Sequence, residues 1–242
     1  PEGRPRVSDL YRRLSAAFGP EVPGLLGFLA LVLMVFGLFA PNFLTGANFG
    51  SIAFQLPELG LLTLAMLMPI ISGGFNLAII YTANMAGLTL AFVLNQYGGV
   101  DAGIMPFLIG TVLAIGVGAL SGAVMGAVIA YIGAHPILVS LAMMIFLRGL
   151  GEFLTKGGDI SGFPPWMATI GHGTLLGIPV PLLLFLACAV LWHILLTHTR
   201  HGFSVRMIGS NIRAAAYSGL HTKRTLILIY TLSGVMCAIA GI

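Results

Sequence analysis

Charge is the scarcest commodity in this sequence. Of its 242 residues, 7% are Asp, Glu, Lys or Arg, against about a quarter in a soluble domain. So few charges cannot cover a water-facing globule, and no segment has the composition of a soluble domain. That argues against a soluble enzyme and points to a chain that dissolves in lipid. The net charge of +4 is therefore read by where it lies rather than by its sum, and no nucleic-acid partner is expected. Cysteine is sparse too. Cys188 and Cys237 both stand in apolar runs, which argues against disulfide or metal use and reads them as small core residues.

Catalytic signatures are missing as well. There is no G-x-x-x-x-G-K-[ST] phosphate loop, no H-E-x-x-H and no paired-cysteine motif. The seven carboxylates mostly flank loops and the six histidines are scattered. No metal set, no cofactor bound by this chain and no catalysis are expected. The basic residues before the first apolar run lead to no small-residue cleavage pattern, so no cleavable signal is read there. The chain opens at Pro1 rather than Met, and residues are expected before it.

What is present is apolar: 58% of the chain, with a mean hydropathy of +1.03. The expected fold is an all-α polytopic transmembrane helical bundle with about seven spans. They fall at 24–40, 59–72, 77–94, 104–132, 137–154, 178–196 and 225–242; about 20 helical residues suffice to cross a membrane. Residues 1–23, with Arg4, Arg6, Arg12 and Arg13, read as a cytoplasmic N-terminal tail in which 10–18 can form a short surface helix. Residues 24–242 read as one transmembrane domain. A Gly/Pro-rich polar loop, 156–177, separates spans five and six.

The longest polar interruption after the first spans is 197–224. It carries Arg200, Arg206, Arg213, Lys223 and Arg224. With the N-terminus in the cytoplasm, six crossings make this loop cytoplasmic too. All Lys and Arg except Arg148 and Lys156 then lie inside, as the positive-inside rule requires. Within the loop, Asn211 is placed to N-cap a short helix and Gly219 to end it in the left-handed conformation. A polar, capped helix between membrane spans reads as a surface for something outside the membrane.

Three features inside the spans carry further information. Gly110, Ala114, Gly118, Gly122, Gly126 and Ala130 recur every four residues, a small-residue stripe that lets another helix approach closely; Gly118, Gly122 and Gly126 are its expected packing centre. Second, Pro69 and the pair Gly73-Gly74 weaken the helix before Asn76. Irregular backbone at membrane depth survives only where protein or a water-filled cavity satisfies it, and transporters bind solutes at such breaks. Asn76, Tyr81, Thr82 and Asn84 follow in an otherwise apolar run. With Gly73 and Gly74 they form either a lining for a neutral, hydroxyl-rich solute or an inter-helix hydrogen-bond ladder. Third, Arg148 and Glu152 are spaced to pair on one helix face, which reads as a structural ion pair near the outer end.

Gly73-Gly74-Phe75-Asn76-Leu77-Ala78 and Gly209-Ser210-Asn211-Ile212-Arg213-Ala214-Ala215-Ala216-Tyr217-Ser218-Gly219-Leu220 resemble two motifs of a known family. It is the permease subunits of bacterial ABC importers for ribose and related simple sugars, with patterns G-G-[hydrophobic]-D-L-S and G-x-N-x-x-A-A-x-x-S-G-[IV]. Supporting matches occur in family order at 141–150, Gly177-Ile178-Pro179-Val180-Pro181, Thr199-Arg200-His201-Gly202 and Leu232-Ser233-Gly234. The resemblance covers roughly 42–242. Asn76 and Ala78 depart from the family's Asp and Ser, and Arg213 stands where an acidic residue is common.

The resemblance implies a permease in the bacterial cytoplasmic (inner) membrane, surrounded by lipid, acting by alternating access. It implies a second permease subunit, an extracytoplasmic sugar-binding protein and separate cytoplasmic ABC ATPase subunits, which would use the ATP. The coupling helix would present Asn211, Arg213, Ala214, Ala215, Ser218 and Gly219 to the ATPase. Residues 156–177 would meet the binding protein. Family members continue beyond Ser233-Gly234, so the chain ending at Ile242 is expected to be an incomplete permease. The residues alone also admit a secondary transporter for a small neutral solute, needing no ATPase.

Overall fold

A computed structural model describes residues 15, 19–20, 22–175 and 177–242. Most of the expected 1–23 tail, with the surface helix at 10–18 but for Ser15, lies outside the described residues. The chain divides into two compact units, Pro1–Ile52 and Ala53–Ile242. In the first, helix α1 (Val22–Phe39) buries no residue. Most of its apolar side chains are exposed, as on a helix facing lipid. The turn after it is held by Asn48 Nδ2 donating to the Phe43 carbonyl at 2.7 Å and by the Phe36–Phe43 ring pair at 5.4 Å.

Helix α2 (Gly46–Ile71) starts well before the span expected at 59–72. Pro57 and Pro69 both lie inside it and are buried. Helix α3 (Ile79–Gln96) follows the break, and α4 (Ile104–Ala127) ends in a π-helical turn, Val128–Ile132. Gly133, at φ +73, and Pro136 turn the chain into α5 (Pro136–Thr155). Then come a short helix α6 (Ala168–His172), a two-residue hairpin β1 (Thr174–Leu175) and β2 (Ile178–Pro179), and α7 (Val180–His198). The basic stretch holds two helices, α8 (Arg200–Ser210) and α9 (Ile212–Tyr217). The sequence reading anticipated only the second. Helix α10 (Thr222–Gly241) completes the described chain.

The chain is an all-α helical bundle. Six helices among the described residues are long and apolar enough to cross a membrane: α1, α2, α4 with its π-turn, α5, α7 and α10. The expected third span is present as α3, but its Tyr81, Thr82, Asn84, Asn95 and Gln96 keep it out of that set. Helix α3 packs against α4, α5 and α10; Thr82 is buried there, whereas Asn84, Asn95 and Gln96 are exposed.

The most extensive packing is between α4 and α10. Their approach is close enough that a Cβ at Gly122 would strike the Tyr230 carbonyl, and one at Gly118 would strike the Gly234 carbonyl. Gly126 lies against the Ile227 backbone and Gly110 against Leu90 of α3. Ala114 and Met125 of α4 and Tyr230, Met236 and Cys237 of α10 are buried. Lipid tails are as apolar as leucine, so close van der Waals contact rather than hydrophobicity holds such a pair. Lys223 lies 5.0 Å above the Tyr131 ring, joining the start of α10 to the end of α4.

Candidate functional site

The break between α2 and α3 begins with an orderly helix end. Ser72 Oγ donates to the Pro69 carbonyl at 2.8 Å, and Gly74 N–H donates to the same carbonyl at 2.8 Å. That geometry needs the left-handed Gly73, at φ +80. The chain then runs without regular structure to Asn76, which is completely buried. Asn76 Nδ2 donates to Ser233 Oγ of α10 at 2.9 Å, and its Oδ1 accepts from Ala78 N–H at 3.0 Å. Tyr230 Oη donates to the Phe75 carbonyl at 3.3 Å. The irregular backbone is thus satisfied by α10, the condition for keeping it at membrane depth.

The break touches the basic stretch directly. Gly209 of α8 is seated on the Ile71 carbonyl, where any Cβ would collide. A cavity of about 720 Å³ opens beside this contact. Its walls include Ser72, Gly73 and Gly74 from the break, His135 and Pro136 from the α4–α5 turn, Asn211 and Arg213 from the basic stretch, and Tyr230.

Helix α8 is anchored by its own caps. Thr199 Oγ1 accepts from Gly202 N–H at 3.2 Å, Gly202 lies against the Leu196 carbonyl, and Arg206 Nη1 donates to that carbonyl at 2.7 Å. Val205 and Ile208 are buried. Burial also lowers the pKa of the half-buried His201 imidazole, since desolvation disfavours its charged form. Its Nε2 has no partner among the described residues.

Helix α9 has the caps anticipated for it. Asn211 Oδ1 accepts from Arg213 and Ala214 N–H, each at 3.0 Å. Gly219, at φ +81, leads to Leu220 N–H donating back to the Ala215 carbonyl at 3.2 Å. One residue faces the other way from expectation. Ala215 is fully buried in the chain's own core, whereas Asn211, Arg213, Ala214, Ser218 and Gly219 are exposed. The outermost side chain is Tyr217, 93% exposed. It lies two residues, about 200° of helical turn, from Ala215. An outward aromatic at that spacing from an inward alanine was the available signal, and the sequence reading passed over it.

A second cavity, of about 360 Å³, lies toward the other end of α5. Tyr81 and Asn84 line it together with Arg148, Glu152, Thr155 and Asp159. Arg148 Nε donates to Glu152 Oε1 at 2.9 Å, and both side chains are about three-fifths exposed at 62% and 64%. The five residues read as one solute pathway therefore separate. Gly73 and Gly74 border the first cavity, Tyr81 and Asn84 the second, and Asn76 is buried and borders neither. Ser233, the buried partner of Asn76, enters the sequence reading only through the Leu232-Ser233-Gly234 match, with no link to Asn76. It lies 157 residues away in the chain.

Residues 48–242 match the family described as branched-chain amino acid transport system / permease component. The autoinducer 2 import system permease protein LsrD of Yersinia enterocolitica is 32% identical across 97% of this chain and 69% of its own length. The protein of that name from Yersinia pseudotuberculosis is 31% identical across 97% of this chain and 68% of its own length. The one from Photorhabdus temperata is 30% identical across 88% of this chain and 64% of its own length. No solved structure matches the chain. The apolar bundle, the broken helix satisfied from within, and a family match that runs from α2 through α10 agree. This chain belongs to the branched-chain amino acid transport system / permease component family and is a multi-pass membrane permease subunit.

Proposed function

We propose that this permease serves an ATP-driven importer of a sugar or similar neutral hydroxylated solute in the bacterial cytoplasmic membrane. ATP is hydrolysed by separate cytoplasmic subunits that dock on 197–224. A second permease subunit completes the membrane core, and an extracytoplasmic binding protein delivers the solute. The N-terminus and the basic stretch face the cytoplasm, in keeping with the positive charge at Arg200, Arg206, Arg213, Lys223 and Arg224.

One observation carries the coupling. Helix α9 offers an exposed, capped face with Tyr217 at its apex, and the same stretch reaches the broken helix through Gly209 on Ile71. A push on α9 is thereby delivered to the break between α2 and α3. The family is named for branched-chain amino acids and the relatives for autoinducer 2, so the choice of solute rests on the resemblance to simple-sugar permeases together with this chain's uncharged polar groups.

The test is import into vesicles holding the assembled complex, with D-ribose, autoinducer 2 and L-leucine as trial solutes. Uptake is expected only with ATP and the binding protein together. Uptake driven by an ion gradient alone would overturn the reading in favour of a secondary transporter.

A further inference from the structure

Charged side chains are costly within a membrane span. They persist where they face the bundle interior or a water-filled cavity. Helix α5 is one of the six helices fit to span, with only Ser140 and Leu147 buried. Yet it carries Arg148 and Glu152 with well over half of each side chain uncovered. Tyr81 and Asn84 of α3 and Asp159 of the following loop converge on the same space. Leu147, the buried neighbour of Arg148, also lines it. This cavity and the one beside the basic stretch lie toward opposite ends of α5, since Pro136 borders one and Thr155 the other. Twenty helical residues separate those ends by roughly 30 Å.

We propose that the α3–α5 cavity is a water-filled vestibule opening on the membrane face opposite the basic stretch, and that its Arg148–Glu152 pair makes polar contact with a neutral solute bearing adjacent hydroxyl groups. The pairing itself selects that chemistry. Arg148 and Glu152 already neutralise each other at 2.9 Å, so the pair offers the solute no net charge. It does offer the remaining guanidinium N–H donors and carboxylate lone pairs side by side. A pair of vicinal hydroxyls, each both donor and acceptor, matches that edge without disturbing it. A zwitterionic amino acid would have to part the pair to place its carboxylate on Arg148, with Asp159 left for its ammonium. Tyr81 and Asn84 add donors and acceptors on the facing wall. The inference rests on the import reading for the direction of flow, but the vestibule itself stands on this geometry.

The experiment uses the assembled complex in sealed vesicles with Asn84→Cys. Cys188 and Cys237 are buried and serve as the unlabelled background. A membrane-impermeant methanethiosulfonate should modify Asn84→Cys from the face opposite the basic stretch and not from the other. Labelling from the basic face, or from neither face when the denatured protein labels fully, overturns the vestibule. D-ribose or autoinducer 2 should slow this labelling, and L-leucine should not. In the charge-swapped R148E/E152R background, which keeps an oppositely charged pair at the same spacing, affinity for the protecting solute should fall about tenfold, the scale of one charge-assisted hydrogen bond. Equal protection in the swapped protein, protection by L-leucine, or none by either hydroxylated probe overturns the contact role. Where the swap prevents assembly, Arg148→Lys, which keeps the charge but loses the planar fork, must show the same loss of protection. Normal ATP-driven uptake by a complex whose Asn84→Cys is labelled from neither face would sink this inference alone. Sided, protected labelling without ATP-driven uptake would instead sink the import reading.

Discussion

Helices α4 and α5 are joined by a three-residue turn, yet they meet the rest of the chain in opposite ways. The first carries no charged residue, and its glycines Gly118, Gly122 and Gly126 press against the backbone of α10. The second buries two residues of twenty and carries an ion pair at its surface. Hydrophobicity does not separate them, because both are apolar enough to span. Spacing of small residues does. Where glycines recur every four residues, backbones come together and leave no room for water. Where they do not, as around Gly149, which has open space beside it, the helix keeps a free face for charge and solvent. The α3–α4–α10 cluster is thus a closely packed frame, while α5 keeps an exposed face that carries charge.

The largest expected effect breaks the frame. Gly122→Leu must displace the Tyr230 backbone, which cannot give as a flexible side chain would, so the cost should exceed about 3 kcal/mol. Folded yield and thermal unfolding in detergent measure it. Gly116→Leu, on the same helix but with open space around it, and Gly149→Leu on α5 should both leave the transition nearly unmoved. If all three substitutions behaved alike, the contrast between the two helices would be wrong.

A smaller loss is expected at the break. Asn76→Ala removes the bond to Ser233 and the one from Ala78 N–H, leaving buried groups unpaired at a cost of about 1–3 kcal/mol. Ser233→Ala should cost less, because Asn76 keeps its local bond. The double variant should fall short of the sum of the two, since both singles remove one shared bond. Strict additivity in thermal unfolding would show that the bond adds nothing to the frame.

Much of this was legible in the sequence, for reasons that also explain what was not. Apolar run length marks spans because the bilayer fixes it, and the α4 stripe shows because close packing demands small residues at every turn. Asn211 and Gly219 announced α9 because caps are local chemistry. The extent of α2 was not legible: Pro57 reads as a boundary, but a proline is tolerated in a membrane helix whose freed groups are satisfied by neighbours. Nor was the partner of Asn76, because nothing local to either residue pairs position 76 with 233. The direction of Ala215 depends on how α8 and α9 sit against the bundle, and motif resemblance carries residue types without carrying which way they face.

The third effect falls on function and spares the fold. Tyr217→Ala removes an exposed side chain, so thermal unfolding should not change. ATP-driven uptake should drop about tenfold if Tyr217 is a docking anchor, the usual scale for a buried interface aromatic. Ala215→Glu should do the reverse: it places a charge in the chain's own core and destabilises the subunit before any partner is involved. Unfolding by Tyr217→Ala with a stable Ala215→Glu would invert the assignment of inner and outer faces on α9.

The smallest effect is a pH dependence at the junction of frame and basic stretch. Burial lowers the pKa of His201 in the folded chain, and its buried Nε2 has no described partner that would welcome a proton. The unfolded chain takes up the proton first as pH falls through about 6.5. The contribution of His201 to stability is therefore complete above that value and declines below it, until the folded imidazole protonates as well. Thermal unfolding followed from about pH 7.5 down to pH 5 should show this decline, and His201→Phe should flatten it without moving the midpoint at the upper end. Because the imidazole is only half-buried, water screens part of the penalty, and the change should be the least of the four. A decline of equal steepness in His201→Phe would place the acid sensitivity elsewhere and leave α8 tied to the bundle by Gly202, Val205, Arg206, Ile208 and Gly209 without His201.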